Sequence, residues 1–240
     1  NWTDRHDREA EEATEKSLRG SGDWSPVRWA NVGGSVLYAM RRMDAFDIAH
    51  YKDSAGKFEE LPGLRRFDVA DRDRLQGRAG VSLPLNDKLT FGLSGLVGKD
   101  EFLPGPGDLT GGVATNLNQP YGFLSDKYRS GTVTADYAPL EKLSLSAFAD
   151  IGRNESRERS NTSGHTPPPS QDALNDWTAD MTDDYLTGGA GITVRPVADL
   201  GLRTDYTYTR SKGQIALSDI AATTTLVELS PPDTVTFRHT

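Results

Sequence analysis

Residues 132–151 read TVTADYAPLEKLSLSAFADI, two stretches of alternating apolar and polar residues separated by a short segment around Pro139. A period of two is typical of β-strands, because successive side chains point to opposite faces of a sheet. Similar segments surround Pro26, Pro84 and Pro196, and the four prolines lie 58, 55 and 57 residues apart. The chain is therefore predicted to repeat a hairpin four times, with turns at these prolines.

The alternation predicts eight strands, each with one apolar face and one face of small or charged residues. The strands are expected at approximately 12–22, 28–43, 73–84, 88–100, 126–138, 142–155, 183–196 and 200–213. Leu96 and Phe148 are exceptions to the pattern, since both fall on the polar face. The charged N-terminal stretch RHDREAEEATEKSLR would also suit an exposed helix, but the repeat assigns it to the first hairpin.

Composition excludes several classes of protein. The 240 residues have a hydrophobic fraction of 35%, no cysteine and a net charge of −8. The sequence contains no run of about 18 apolar residues, so no transmembrane helix is predicted. The net negative charge argues against nucleic acid as a partner. Without cysteine, the chain has no disulfide and no Cys-x-x-Cys-His attachment motif for haem c.

Strand length and loop asymmetry favour a barrel in a membrane. Strands of about 11 to 14 residues match the tilted span of an outer-membrane barrel, whereas soluble sandwiches usually have strands of about five or six residues. Short turns alternate with long polar segments at approximately 45–71, 101–125 and 156–182. The prediction is an all-β, antiparallel up-and-down transmembrane barrel with short periplasmic turns and long extracellular loops. Residues 1–240 are expected to form one barrel segment without a second domain.

Several segments, taken in order, resemble those of a known family. They are RFDVADRDR, LPLNDKLTFGLSG, APLEKLSLSAFADIGRNESRERS, NDWTADMTDDYLTGGAGI and LRTDYTYTRSKGQI. The chain resembles the MtrB/PioB family of outer-membrane barrels associated with decahaem cytochromes. The resemblance implies a location in the outer membrane of a Gram-negative-type bacterium, in contact with its lipid.

The resemblance also implies a function as a sheath. A periplasmic multihaem c-type cytochrome would lie inside the barrel and carry electrons across the membrane, with an extracellular multihaem cytochrome as a further partner. Haem would belong to the cytochrome, and this chain would hold no cofactor. It would not be an enzyme, since the resemblance brings no catalytic residues. Members of the family are longer and have more strands, and a fifth turn proline is due at about residue 253. We therefore expect a piece of a larger barrel.

The polar strand face is the predicted functional surface. Charged residues at interior strand positions would face a partner enclosed by the barrel, and these are Arg78, Asp136, Asp150, Arg203 and Asp205. In an open porin the same residues would line water and set ion selectivity. A general porin, or a small outer-membrane barrel for passive transport, is thus the alternative function. A soluble β-sandwich is a third hypothesis.

No other group of residues suggests chemistry. The histidines His6, His50, His165 and His239 have no spacing that would place a metal-binding pair on one strand face, so no metal site is predicted. The acidic pairs Asp183–Asp184 and Asp71/Asp73 could bind calcium at a rim of the barrel, although nothing in their spacing resembles an EF-hand. The cytochrome's identity, the direction of electron flow and the total strand number do not follow from the sequence.

Overall fold

The computed structural model describes residues 2–4, 12–43, 70–103, 121–161, 176–197, 200–219 and 234–239. These residues form one antiparallel sheet, in which each strand pairs with the strands next to it in sequence. The strands are β1 (Trp2–Asp4), β2 (Glu12–Val27), β3 (Ala30–Met43), β4 (Asp71–Asn86), β5 (Leu89–Leu103), β6 (Gly122–Leu140), β7 (Leu143–Asn161), β8 (Asp176–Val197), β9 (Leu200–Asp219) and β10 (Thr234–His239). The eight long strands, β2 to β9, confirm the prediction of four hairpins, and the short strands β1 and β10 were not predicted.

The sheet is open across the described residues, with β1 and β10 at its two edges. This arrangement is consistent with part of a larger barrel. The charged stretch around Glu12–Arg19 is strand, so the helical alternative is wrong for these residues. Among the described residues, no helix is long and apolar enough to cross a membrane.

The four prolines lie in the strands, in or next to bulges, rather than in the turns themselves. In three hairpins the residue before the proline and the proline itself together face a single residue of the partner strand. Pro26 and Pro139 each precede the turn by two residues. The remaining hairpin is the one at Pro84, where the segment PLNDKL is one residue longer than PLEKL at Pro139. Here Pro84 is paired, and Leu85 is the extra residue. A bulge suits proline because the ladder needs no N–H donor there.

Backbone hydrogen bonds join neighbouring hairpins at this rim. Ala138 donates its N–H to the carbonyl oxygen of Lys88 at 2.7 Å, and Arg195 donates to that of Lys142 at 2.8 Å. Each donor directly precedes a bulge proline, and each acceptor is the second turn residue of the preceding hairpin. The repeat therefore fixes both the turn and its contact with the next turn.

The two faces of the sheet differ in the way the alternation predicts. Val32, Val81, Leu93 and Val133 are successive cross-strand partners on β3 to β6 and form one apolar row. Many large apolar side chains on this face are exposed, with Leu93 at 55% and Val97 at 62%. Such a continuous exposed apolar surface requires lipid or another apolar partner. The few buried apolar residues lie mainly toward the loop end of the sheet, and they include Ala13, Ala39, Met43, Phe102 and Tyr121.

β2 to β9 have 14 to 22 residues, and all of them except β3 are longer than predicted. Most of the extra length lies at the loop ends, where β7 continues to Asn161 and β8 already begins at Asp176. On β7 both faces are polar there, so the alternation fades although the ladder continues. Cross-strand ion pairs such as Arg157–Asp180, at 3.4 Å, accompany it. The predicted loops were therefore too long.

Candidate functional site

The predicted functional residues all lie on the polar face of the sheet, which we define as the face opposite the apolar row. Their cross-strand partners are small or hydroxylated in most cases: Thr90 and Ser146 for Asp136, Thr132 and Thr187 for Asp150, Thr193 for Arg203, Gly191 for Asp205, and Ser35 and Leu96 for Arg78. The residues belong to β4, β6, β7 and β9, so the structure spreads them across the sheet.

Most of these charges have local hydrogen-bond partners. Arg203 donates two hydrogen bonds to Asp205, at 2.7 and 3.0 Å, along the same strand. Asp150 accepts a hydrogen bond of 2.6 Å from the hydroxyl of Thr132. With the Gln76 amide turned so that its oxygen faces Arg78, Arg78 donates from Nε to that oxygen at 2.7 Å. The polar face therefore presents paired dipoles and ion pairs of mixed sign.

Three aromatic side chains of the polar face lie over glycines on the neighbouring strand. The cross-strand pairs are Tyr128 with Gly98, Phe148 with Gly189, and Tyr185 with Gly152. In each pair a Cβ on the glycine would collide with the aromatic ring. The rings thus fill the space left by the missing side chains. They shield the glycine backbone and lie flat against the polar face of the sheet. Phe148, an exception in the sequence pattern, is explained by this contact, whereas no contact explains Leu96.

A shallow groove of about 460 Å³ lies near the turn end of β2 to β6. On the polar face its floor is formed by Gly33, Gly80, Gly92 and Ser94, and carboxylates flank it at Asp23 and Asp136. The side chains of Asp23 and Thr134 occupy the space that a Cβ on Gly33 or Gly92 would fill, so the floor of the groove stays close to the backbone. Asp136 is thus the one predicted residue that lines a groove at this end of the polar face.

A charged network, not predicted from the sequence, occupies the loop end of the polar face. Asp100, only 4% exposed, accepts two hydrogen bonds from Arg74, at 2.6 and 2.8 Å. Arg72 lies 3.6 Å from Asp100 and 3.0 Å from Glu15. The sequence signal was the alternating charge in ADRDR, which was interpreted only as the entry to a strand.

Partial burial extends beyond this network. Glu158 lies fifteen residues from the start of β7, past the apolar part of the strand and outside the membrane-spanning segment. Burial raises the pKa of Glu158, and the nearby carboxylate of Asp126 raises it further. The loop end therefore packs partly buried charged side chains together with the buried apolar residues and is not a frayed sheet edge.

The comparison with protein families shows which environment each face of the sheet meets. The sequence model of the outer membrane beta-barrel porin family MtrB/PioB matches residues 1–240. The chain belongs to the MtrB/PioB family. This confirms the predicted family, the all-β barrel fold and the location in the outer membrane of a Gram-negative-type bacterium, and it rules out the soluble sandwich. Comparison with curated proteins yields no match.

In an MtrB/PioB barrel the apolar face meets lipid and the polar face lines the interior. Arg78, Asp136, Asp150, Arg203 and Asp205 are accordingly assigned to the interior side of the strands. Their role as partner contacts stays a prediction. MtrB/PioB is a family of porins and not of enzymes.

The acidic pairs considered for calcium are arranged differently from a cation site. Asp183 and Asp184 point to opposite faces, and Asp184 binds Arg153 at 2.7 Å. Asp71 accepts a hydrogen bond from the N–H of Met43, and Asp73 lies 2.6 Å from Arg42. No group of three metal-ligating side chains converges within the described strands. His6, His50 and His165 lie outside the described residues, and His239 ends β10.

Proposed function

We propose that this chain forms part of a barrel that encloses a multihaem c-type cytochrome and holds it for electron transfer across the outer membrane. The observation that carries the proposal is the composition of the polar face. Its charges are paired, its aromatic rings lie over glycines, and its groove is floored by glycine and serine. A surface of this kind suits close contact with a folded protein.

The same face is less suited to an ion-selective pore. Porin selectivity depends on a ring or cluster of charge of one sign in the water-filled interior. Here Arg203 is paired with Asp205, and Arg74 with Asp100, so that opposite charges cancel locally. The family resemblance supports a decahaem cytochrome as the enclosed partner. Because this chain has no cysteine, covalently attached haem would be supplied by that partner.

The test uses the full-length protein extracted from outer membranes in mild detergent. We expect a haem-staining cytochrome to co-purify in a fixed ratio and the complex to conduct ions poorly in a planar bilayer. The double variant Arg78→Glu/Asp150→Lys should release the cytochrome, while Arg28→Glu, in the turn between β2 and β3, should retain it. A barrel that isolates without haem and conducts ions would overturn the sheath in favour of the porin.

A further inference from the structure

Two pairs of like charge lie next to each other on the apolar face, where strands β5, β6 and β7 approach their loop ends. Lys99 is directly opposite Lys127, and Arg129 is directly opposite Arg153. Directly opposed like charges destabilise a sheet. Two such pairs on three adjacent strands therefore call for a compensating anion.

Neighbouring carboxylates compensate for only part of this charge. Glu101 binds Lys99, and Glu155 lies 3.4 Å from Arg129. Arg153 pairs mainly with Asp184. Lys127 is exposed and lies opposite Glu155 on β7, but no carboxylate of the described residues comes close enough to form an ion pair with it.

These residues line a groove of about 440 Å³, which we call the basic groove. Four cationic side chains and one carboxylate, that of Glu155, contribute to its wall, although the whole chain carries a net charge of −8. Its other side is apolar and exposed, with Val36 at 58%, Leu75 at 56% and Val97 at 62%. The groove thus joins a cationic end to an apolar end on one continuous surface.

Its height in the membrane follows from strand geometry. Lys99 lies ten residues from Leu89, the first residue of β5 after the turn. Ten residues span about 34 Å along a strand, or about 26 Å along the membrane normal at a tilt of about 40°. The apolar band of an outer-membrane barrel is about 25 Å tall. Because the turns are periplasmic, the cations of the basic groove lie at the headgroup level of the outer leaflet, with the apolar residues below them.

We propose that the basic groove binds a phosphorylated glycolipid of the outer leaflet. Its phosphate would lie among Lys99, Lys127 and Arg129, since ammonium and guanidinium groups are the usual partners of phosphate. Its acyl chains would run along Val97 and the neighbouring apolar residues. An acidic protein segment would match the charge but would leave this apolar end uncovered, so the lipid is the occupant that the surface favours.

The decisive comparison is between two double variants of the full-length protein. Lys99→Gln/Lys127→Gln removes one like-charge pair from the basic groove. Arg210→Gln/Lys212→Gln removes two cations from the same face and a similar height on β9, outside the groove. Native mass spectrometry would count lipids bound from mixed micelles of detergent with diphosphorylated lipid A, with its monophosphorylated form, or with phosphatidylcholine.

We expect wild type and the β9 variant to bind diphosphorylated lipid A alike, and the groove variant to bind it about tenfold more weakly. In lipid-free detergent, the groove variant should resist heat about as well as wild type, because removal of the repulsive pair offsets the loss of the exposed Lys99–Glu101 ion pair. Equal lipid binding by all three proteins would overturn the proposal, as would saturation by inorganic phosphate alone or a preference for phosphatidylcholine. None of these readouts involves the cytochrome, so the result is independent of the sheath.

Discussion

Gly189→Ala tests whether the contact between aromatic ring and glycine is part of the sheet's stability. Gly189 lies on β8 between its cross-strand partners Phe148 of β7 and Thr207 of β9. An added Cβ would collide with the ring of Phe148 and lie 2.8 Å from the carbonyl oxygen of Tyr206. The ring could rotate away, but a backbone oxygen moves only if β9 shifts against β8. The substitution is therefore an overpacking change at a site that relaxes poorly.

The expected cost is the difference between two effects. Overpacking costs about 1 to 3 kcal/mol, whereas replacing glycine by alanine in a strand gains about 0.5 to 1 kcal/mol of backbone entropy. The difference of these ranges is a net loss of about 0 to 2.5 kcal/mol, with a middle value of about 1 kcal/mol. Gly201→Ala is the matched control, since no atom lies within 4 Å of a Cβ there and only the gain remains.

The measurement is urea unfolding of the full-length protein refolded in phospholipid vesicles, followed by tryptophan fluorescence. Gly189→Ala should lower the unfolding midpoint, and Gly201→Ala should leave it unchanged or raise it. The double variant Phe148→Ala/Gly189→Ala should cost less than the sum of its two single changes, because the collision with the ring is gone. If Gly189→Ala unfolds at the same urea concentration as Gly201→Ala, the ring does not fix this site and the argument fails.

Two further predictions use the same unfolding assay. Asp100→Asn should destabilise the barrel by about 3 kcal/mol, because it leaves Arg74 in a partly buried site without its carboxylate and leaves Arg72 with Glu15 alone. Asp205→Asn, at an exposed pair, should cost much less. Equal losses would contradict this argument. Ala138→Pro should lower the free energy of unfolding by about 1 to 3 kcal/mol, because it removes the hydrogen bond from the Ala138 N–H to Lys88. Pro139→Ala should leave the free energy of unfolding nearly unchanged. A larger loss of stability for Pro139→Ala than for Ala138→Pro would refute the bulge argument.

The sequence predicted the hairpins and their faces well because lipid imposes the pattern. Over the apolar band, every second side chain must be apolar, and segments such as 143–151 show this directly. The strand ends were predicted less well. Beyond Arg153 on β7 both faces are polar, so no alternation marks where the strand ends, although pairing continues to Asn161.

The contacts on the polar face could be predicted only in part. The parity of each strand assigned Asp150 and Asp205 to the correct face, but parity alone does not give cross-strand register. Register is what places Phe148 over Gly189 and Arg74 beside Asp100. It depends on the bulges at the turns, where the extra residue in PLNDKL changes the count. An aromatic residue on the polar face, opposite a glycine in the correct register, is the signal that could have revealed these pairs.

The alternation also separates the surfaces for the two proposed partners on one strand segment. Lys99 faces outward into the basic groove, while the adjacent Asp100 faces inward and binds Arg74. On β6, Lys127 faces outward and Tyr128 covers Gly98 on the inner face. A single substitution thus changes one surface and leaves the other in place. Lys127→Gln should weaken lipid binding without releasing a cytochrome, and Arg78→Glu/Asp150→Lys should do the reverse. If either change affected both partners, the two faces would be coupled through the sheet, and the separation argued from strand geometry would be wrong.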